Sequence, residues 1–306
     1  MATVLEDLPR GSRVTVIRLR SLGDCVLTTP ALALLRRFRP DLRVSVMVEP
    51  RFRALFEGNP DVDEILPPSL GALLRSRPYL CLNLHGGTRS TWMTGLSGAR
   101  YRAGFRHFRA QRVYNVRIPR AQKILRVERT VHTAEHLASA MFYLGVPAGE
   151  IPRARLVAGP LPSVAARQRS SAVIHAVAAT PAKTWPAEGF LEVARRLRAS
   201  QSDVVFIGGP GDDLSPFREF TTLSGAPLEE IKSLLASASV FVGNDSGPAH
   251  MAAAFGVPSV VIFGVSDPAI WGPWRTPAEV VTAPGGIGAV RVEQVCDALT
   301  RLRVAA

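Results

Sequence analysis

One stretch near the end of the chain constrains the fold more than any other, because two apolar runs flank a loop of small residues. The runs at residues 239–242 and 259–263 are typical of buried parallel strands. Between them lie a predicted turn at 243–248 and a short predicted helix at 249–255, which Gly256 closes. The stretch therefore predicts a strand–loop–helix–strand unit.

The loop of this unit has the composition of an anion-binding turn. Backbone N–H groups at the start of a helix, together with the positive end of its dipole, favour a phosphate or diphosphate. Ser246 and Gly247 would let the backbone approach such a ligand closely, and His250 lies one turn into the helix. The alternative is an ordinary turn in which Asp245 caps the helix, and spacing alone does not separate the two interpretations.

The rest of the chain repeats the alternation of strand and helix in two series. Further apolar runs typical of strands occur at residues 13–19, 44–48, 64–66, 79–84, 171–176 and 204–207. The pattern predicts an α/β chain of two doubly wound, Rossmann-like domains, in which ligands bind outside the carboxyl ends of the strands.

Two stretches lack this periodicity. Residues 147–162 are rich in Pro, Gly and Arg and are the best candidate for a linker, so we expect domains at 1–158 and 159–306. Residues 106–120 are polar and basic and are predicted to form a loop.

The positive charge of the chain is confined to its first half. The net charge is +12 over 306 residues. Residues 1–160 contain 25 Lys and Arg against 12 Asp and Glu, whereas residues 161–306 contain 12 against 13. Such a one-sided field indicates an anionic partner, namely a phosphorylated lipid, a membrane surface or a nucleic acid, unless it is only an arginine-rich solvated surface.

Two charged residues lie beside predicted helices where they could act on a ligand. Asp24 follows the first strand, at the start of a helix predicted for residues 25–39. On the residues alone, a structural helix-capping role is favoured for it over a catalytic one. Lys183 precedes Trp185 and Pro186 at a helix start and could reach a bound phosphate, although a lone lysine is in most cases a solvated surface charge.

Several classes of protein are disfavoured. Gly208–Gly209–Pro210–Gly211 follows a strand but matches neither a dinucleotide-binding fingerprint nor a P-loop. The three cysteines are widely spaced, which indicates no disulfide framework or zinc site and suits a reducing cytoplasm. No stretch reaches the ~18 apolar residues of a membrane span. Scattered histidines are interpreted as structural: His85, His107, His132, His136 and His175.

Six motifs stand in order along the chain and together carry a family resemblance. They are IRLRSLGD at 17–24, TTPAL at 28–32, LHGGTRS at 84–90, AKTWP at 182–186, GNDSGPAH at 243–250 and FGVSDP at 263–268. With them the sequence resembles the family 9 glycosyltransferases, the ADP-heptose:lipopolysaccharide heptosyltransferase group.

The resemblance implies a GT-B architecture, in which two Rossmann-like domains face each other across a cleft. It assigns acceptor binding to domain 1–158 and nucleotide-sugar binding to domain 159–306. It also changes the interpretation of Asp24, which corresponds to the general base proposed for the family. Lys183 corresponds to a lysine that contacts the donor diphosphate, with Thr180 as a further plausible contact. The nucleotide-holding segment corresponds to Asp245, Ser246, Gly247 and His250.

The implied reaction is an inverting, metal-independent transfer of a heptose from ADP-heptose to an inner-core glycolipid acceptor, with no cofactor besides the donor. The implied location is the cytoplasm, at the inner face of the inner membrane. Acceptor contacts are expected from the SLGD motif and from basic residues, and the candidates are Ser21, Gly23, Arg89, Arg112 and Lys123. Arg20 stands where some members carry a second serine, so acceptor contacts there can differ.

Two alternatives stay open from the sequence. The donor sugar, nucleotide or acceptor can differ within the same family, because no residue legible in the sequence selects them. A second class is a nucleic-acid-binding protein that is not an enzyme. Aromatic residues interleave with the basic residues of the stretch from Arg100 to Arg129 and could stack on bases. These are Tyr101, Phe105, Phe108 and Tyr114. No recognition helix or RNA-binding motif accompanies them, and no nucleic-acid partner is expected.

Overall fold

The structure, a computed structural model, describes residues 3–159 and 171–302. The described residues fall into two compact units that divide between Val157 and Ala158. Each unit is built on a six-stranded parallel sheet, which confirms the predicted α/β class. The placement of the two domains across a cleft stays a prediction.

The sheet of the first unit has the strand order β3-β2-β1-β4-β5-β6. Its strands are β1 Arg13–Ile17, β2 Arg43–Met47, β3 Glu64–Leu66, β4 Leu80–Asn83, β5 Tyr101–Phe105 and β6 Val116–Ile118. The direction of the strand order reverses between β1 and β4. In open α/β sheets this switch point, at the carboxyl ends of the strands, is where ligands bind.

Helices connect these strands. They are α1 Val4–Asp7, α2 Leu22–Phe38, α3 Leu70–Ser76, α4 Thr88–Leu96, α5 Ala121–Leu125 and α6 Thr133–Leu144, with 3₁₀ turns at Pro50–Leu55 and Gln111–Val113. Ser69 caps α3 through a hydrogen bond from the Ala72 N–H, and Gly145 ends α6. The longest helix, α2, packs along α6.

The second unit has the order β12-β11-β10-β7-β8-β9, which is the same topology when its strands are numbered from its own first strand. The strands are β7 Ala172–His175, β8 Val204–Gly208, β9 Thr221–Ser224, β10 Val240–Asn244, β11 Ser259–Ile262 and β12 Ala278–Val281. The switch point therefore lies between β7 and β10. Strands β7, β8, β10 and β11 are buried along their whole length, as expected of a parallel sheet covered on both faces.

The helices of this unit are α7 Ala187–Ala199, α8 Leu228–Ser237, α9 Gly247–Phe255, α10 Pro268–Trp271 and α11 Val292–Arg301. Short 3₁₀ turns occupy Pro181–Lys183, Ser215–Phe217 and Ile287–Ala289. Its core packs around three rings, Trp185, Phe190 and Phe206. The Trp185 indole N–H donates to the Val290 carbonyl at 2.9 Å, which ties the Lys183 segment to the chain just before α11.

Some predicted elements were wrong in extent. Residues 106–120, predicted to be a loop, contain strand β6, which is an edge strand of three residues and too short to show a periodic pattern. Strand β9 was not predicted, because its residues are exposed or half-buried and carry no apolar run. Helix α2 begins three residues before the predicted start, since Ser21 is its N-cap residue.

The segment predicted as a linker is ordered where it is described. Ile151, Ala154 and Leu156 are buried. The Arg155 N–H donates to Thr29 Oγ1 at 2.9 Å, and Asn59 Nδ2 donates to the Arg155 carbonyl at 3.2 Å. Residues up to Val157 therefore belong to the first unit, and residues 160–162 of the predicted linker lie outside the described residues.

Candidate functional site

In the first unit, a partly buried ion pair lies where β1 ends. Arg18 follows the strand directly, and its Nη1 is 3.2 Å from Asp24 Oδ1. The side chain of Arg18 is 7% exposed, whereas that of Asp24 is 23% exposed. Burial lowers the pKa of the Arg18 guanidinium, while Asp24 acts in the opposite direction. The cation is thus hidden, and the carboxylate is the member of the pair that reaches solvent.

Ser21 fixes the second oxygen of the Asp24 carboxylate. Asp24 is the third residue of α2, so its side chain can fold back over the N-cap residue. Ser21 Oγ donates to Asp24 Oδ2 at 2.9 Å, and the Ser21 N–H donates to the same atom at 3.3 Å. Asp24 therefore does serve the helix start, and Arg18 and Ser21 hold its carboxylate in one orientation.

An open hollow of about 620 Å³ surrounds this carboxylate. The hollow is lined by Arg18, Arg20, Ser21, Asp24, Arg51, Phe52 and His85. Three arginines and one carboxylate give it a positive balance. Burial lowers the pKa of His85, and the nearby Arg18 charge lowers it further, so the imidazole is neutral at pH 7.

The other predicted acceptor residues are not all brought together. Gly23 is buried in the first turn of α2. Arg89, on the first turn of α4, lies at the carboxyl edge of the sheet, but its guanidinium donates to the Pro68 carbonyl. Lys123 is exposed on α5, which follows β6. Arg112 is exposed in the 3₁₀ turn that leads to the amino end of β6, away from the carboxyl edge.

In the second unit, the corresponding edge holds an ion pair of the opposite arrangement. Lys183 Nζ donates to Asp245 Oδ2 at 2.9 Å, with side-chain exposures of 32% and 7%. Ser266 Oγ donates to the same oxygen at 2.5 Å. Here the carboxylate is hidden and the ammonium reaches solvent. Asp245, which the resemblance places in the nucleotide-holding segment, bonds to Lys183 and Ser266.

The backbone around Lys183 is fixed by buried contacts. The Asn244 side chain accepts from the Trp185 N–H at 3.0 Å and donates to the Ala176 carbonyl at 3.0 Å. A Cβ placed on Gly264 would lie 2.2 Å from the Ala182 carbonyl oxygen, so only glycine allows the two loops this approach. The lysine therefore extends from a rigid segment.

Helix α9 begins beside this pair. Ser246 is the N-cap residue, but its hydroxyl makes no capping hydrogen bond, and its Oγ is buried with no partner among the described residues. Gly247 opens the helix, and His250 is buried one turn in, its ring centroid 6.4 Å from that of Trp271. Thr180, three residues before Lys183, lines a separate open hollow of about 420 Å³ with Trp185. The amides at the start of α9 and the Lys183 ammonium together suit an anion.

The comparisons with known proteins decide the family. Residues 69–295 match the profile of glycosyltransferase family 9 (heptosyltransferase). This chain belongs to that family. The match covers the AKTWP, GNDSGPAH and FGVSDP motifs, which hold the residues of the second ion pair.

Related sequences within family 9 support the assignment. Lipopolysaccharide heptosyltransferase 3 of Escherichia coli is 35% identical over 113 residues, which is 33% of this chain and 33% of that protein. The chain thus spans about a third of that curated relative's length in this match. Lipopolysaccharide core heptosyltransferase OpsX of Haemophilus influenzae is 21% identical over 293 residues, covering 87% of this chain and 83% of that protein.

Solved structures of family 9 members share the fold. A family 9 glycosyl transferase of Veillonella parvula superposes with a TM-score of 0.82 at 22% identity, covering 95% of this chain and 97% of that one. The E. coli heptosyltransferase WaaC, solved with ADP, superposes with a TM-score of 0.78 at 19% identity, covering 95% and 99%.

Sequence reasoning missed three residues of these sites. Arg18 and Ser266 lie inside motifs that carried the resemblance, yet neither was singled out. The signal for Arg18 was a charged residue directly after a buried strand, a position that is seldom charged without a partner. His85 was interpreted as structural, but it lines the Asp24 hollow.

The structure removes the aromatic platform that the nucleic-acid interpretation needs. Phe105 and Tyr114 are buried, and the Tyr114 hydroxyl accepts from Asn83 Nδ2 at 2.9 Å. Tyr101 is half-buried and donates its hydroxyl proton to Asp7.

Within residues 3–159 and 171–302, no group of three or more His, Cys, Asp or Glu side chains is arranged to hold a metal ion. No helix in those ranges is long and apolar enough to cross a membrane.

Proposed function

We propose that this protein is an inverting heptosyltransferase that moves a heptose from ADP-heptose to an inner-core lipopolysaccharide acceptor. The observation that carries the proposal is the opposite polarity of the two ion pairs. The first unit exposes a carboxylate held by a buried cation, and the second exposes an ammonium held by a buried carboxylate. Membership of family 9, the heptosyltransferase family, supports a heptose as the transferred sugar.

Asp24 acts as the general base. Its carboxylate takes the proton of an acceptor hydroxyl while that oxygen attacks the anomeric carbon of the donor. The bond from that carbon to the diphosphate oxygen breaks in the same step, the anomeric configuration inverts, and ADP leaves. Arg18 and Ser21 orient the carboxylate before the acceptor arrives, so little reorganisation is needed in the transition state.

The second unit holds the donor. Lys183 turns its exposed ammonium from Asp245 to the diphosphate and neutralises the leaving-group charge, together with the amides at the start of α9. Thr180, Ser246 and His250 keep their predicted roles as further donor contacts. Asp212 follows β8, the second strand of this unit, where doubly wound nucleotide-binding folds place the acid that holds a ribose.

The first unit receives the acceptor, whose phosphates and carboxylates suit the positive balance of the Asp24 hollow. Arg20 and Arg51 line that hollow and are better placed for this than Arg112. Because the acceptor is a glycolipid, we further propose that the protein works in the cytoplasm at the inner face of the inner membrane. Domains 1–158 and 159–306 keep their predicted roles as acceptor- and donor-binding domains.

A donor and acceptor panel tests this function. Purified protein is incubated with ADP-heptose, GDP- and UDP-sugars, and truncated inner-core acceptors, and nucleotide release and product mass are measured. We expect ADP release only when ADP-heptose and a core acceptor are both present. Transfer from another nucleotide sugar would leave the family assignment intact but show that the donor is not ADP-heptose. Salt-sensitive DNA binding with no transfer from any donor would overturn the proposal.

A further inference from the structure

Two adjacent helices of the first unit expose large apolar side chains. Leu70 and Leu74 on α3 are 36% and 47% exposed, and Trp92 and Leu96 on α4 are 61% and 55% exposed. Each pair is spaced four residues apart, which places its members on one side of their helix. A soluble surface seldom carries an exposed tryptophan beside three leucines without a use for them.

The two helices that carry these four side chains are neighbours. Leu73 of α3 and Met93 of α4 belong to the same buried cluster, so the two helices lie side by side on the sheet. Arg89 on the first turn of α4 donates to the carbonyl of Pro68, just before α3, which brings the starts of the two helices together. We call the surface made by Leu70, Leu74, Trp92 and Leu96 the α3–α4 patch.

The stretch of sequence that contains this patch carries only positive charge. Residues 65–127 contain twelve Lys and Arg and no Asp or Glu. Arg89 lies on the patch itself, and Arg77 and Arg100 follow the ends of α3 and α4, where both are exposed. Two acids, Asp63 and Glu64, line a pocket with Ala72 and Arg75 of α3, so the surround is mainly but not wholly basic. An apolar centre with a mainly basic surround is the composition of a surface that settles on anionic lipid.

We propose that the α3–α4 patch docks the protein on the surface of an anionic lipid bilayer. Leu70, Leu74 and Leu96 enter the boundary between headgroups and acyl chains, and Trp92 lies at headgroup level, where its amphipathic ring is most stable. The arginines bind lipid phosphates. The inference rests on the proposed function in one respect only. That function explains why the protein would bind a bilayer, since its glycolipid acceptor is anchored there.

Charge favours a bilayer over a second copy of the chain. A two-fold dimer through this patch would place two mainly basic surfaces against each other, and like charges across an interface oppose association. An anionic bilayer instead supplies opposite charge and an apolar layer at once.

Vesicle binding tests the proposal. Purified protein is sedimented with phosphatidylcholine vesicles and with vesicles containing phosphatidylglycerol. We expect binding to the anionic vesicles that weakens with salt, and at least a tenfold loss of affinity in the variant carrying Trp92→Ser and Leu96→Ser. Tyr143→Ser is the matched control, because it removes an exposed aromatic residue of α6 and should bind like the wild type.

Two further measurements keep the test decisive. Trp92→Phe should retain most of the binding, and the fluorescence change on adding vesicles should be largely lost in this variant, because Trp92 reports its own entry into lipid. The proposal is overturned if the double variant binds vesicles like the wild type, if the wild type binds neither vesicle, or if the patch substitutions only split a dimer.

A separate assay distinguishes this inference from the proposed function. Transfer to a short, water-soluble core acceptor should be unchanged in the double variant, since the patch touches neither ion pair. Normal transfer with no vesicle binding by the wild type would overturn the docking surface alone. Vesicle binding without any sugar transfer would overturn the proposed function alone.

Discussion

The two units share one strand order but expose opposite charges at corresponding edges. In each, an ion pair lies beside the switch point, after β1 in the first unit and after β10 in the second. The buried member is Arg18 in one and Asp245 in the other. The exposed member is Asp24 in one and Lys183 in the other.

Under the proposed function, this difference lets one scaffold serve two chemical tasks. A buried charge costs free energy unless it is paired, so each hidden ion holds its partner in place. The member of the ion pair that stays exposed decides whether the carboxyl edge of the sheet presents a base or an anion-binding cation. The first unit also carries the whole charge excess of the chain, which suits an anionic acceptor.

The largest effect is expected from removing the exposed carboxylate. Asp24→Asn keeps the size of the side chain but cannot take a proton, so turnover should fall by about 10²–10⁴-fold. Binding of ADP, measured by calorimetry, should be unchanged, because the donor is assigned to the other unit. Asp297→Asn, an exposed carboxylate on α11, is the control. Near-normal turnover in Asp24→Asn would show that the base has been assigned wrongly.

Each unit also contains a histidine with a strongly lowered pKa, so that its protonation opposes folding. Burial lowers the pKa of His136 in the first unit and of His175 in the second to about 4. Between pH ~6.5 and 4 the unfolded chain takes up protons that the folded chain refuses, so stability should fall as pH falls, by up to about 3 kcal/mol for each histidine.

The comparison of the two histidines can be made by denaturant unfolding across this pH range. His136→Asn and His175→Asn should each flatten the pH dependence, and the double variant should flatten it most. If one variant leaves the slope unchanged, that histidine takes up its proton at the same pH in the folded and the unfolded protein, and its unit differs from the other in this respect.

A smaller effect is expected from the exposed ammonium. Lys183→Ala should weaken donor binding by about 1.5–3 kcal/mol, the value of a lost charged hydrogen bond, and Lys183→Arg should restore part of it. Titration with ADP measures both. Equal ADP affinity in Lys183→Ala and the wild type would contradict the proposal that the exposed member of the second ion pair binds the donor diphosphate.

The smallest effect should come from the hydroxyl that supports the second pair. Ser266→Ala loses one hydrogen bond to Asp245, so donor affinity should fall by about 1 kcal/mol or less. Ser237→Ala, which loses only a bond to the Leu234 carbonyl at the end of α8, is the control. A loss as large as that of Lys183→Ala would mean that Ser266 itself contacts the donor.

Much of the fold could be predicted because buried parallel strands are continuous apolar runs. The central strands β1, β4, β7 and β10 were placed within two or three residues. The edge strands β6 and β9 could not be placed in this way, because short, partly exposed strands lack that signal.

The candidate site was predicted in part. Lys183 and Asp245 were singled out from motifs, but as two separate ligands of the donor, whereas the structure pairs them across 62 positions of sequence. Arg18 and Ser266 escaped notice because a hydrogen-bond partner is not legible in a linear pattern. The α3–α4 patch escaped for the same reason, since only burial separates Leu70 from Leu73.

The sequence by itself determined the alternation of strand and helix, the charge asymmetry and the order of the motifs, because these follow from residue types and their spacing. The tertiary structure alone decided which member of each ion pair is buried and which apolar side chains stay exposed. Those outcomes depend on which surfaces meet when helices pack on a sheet, and spacing along the chain does not contain that information.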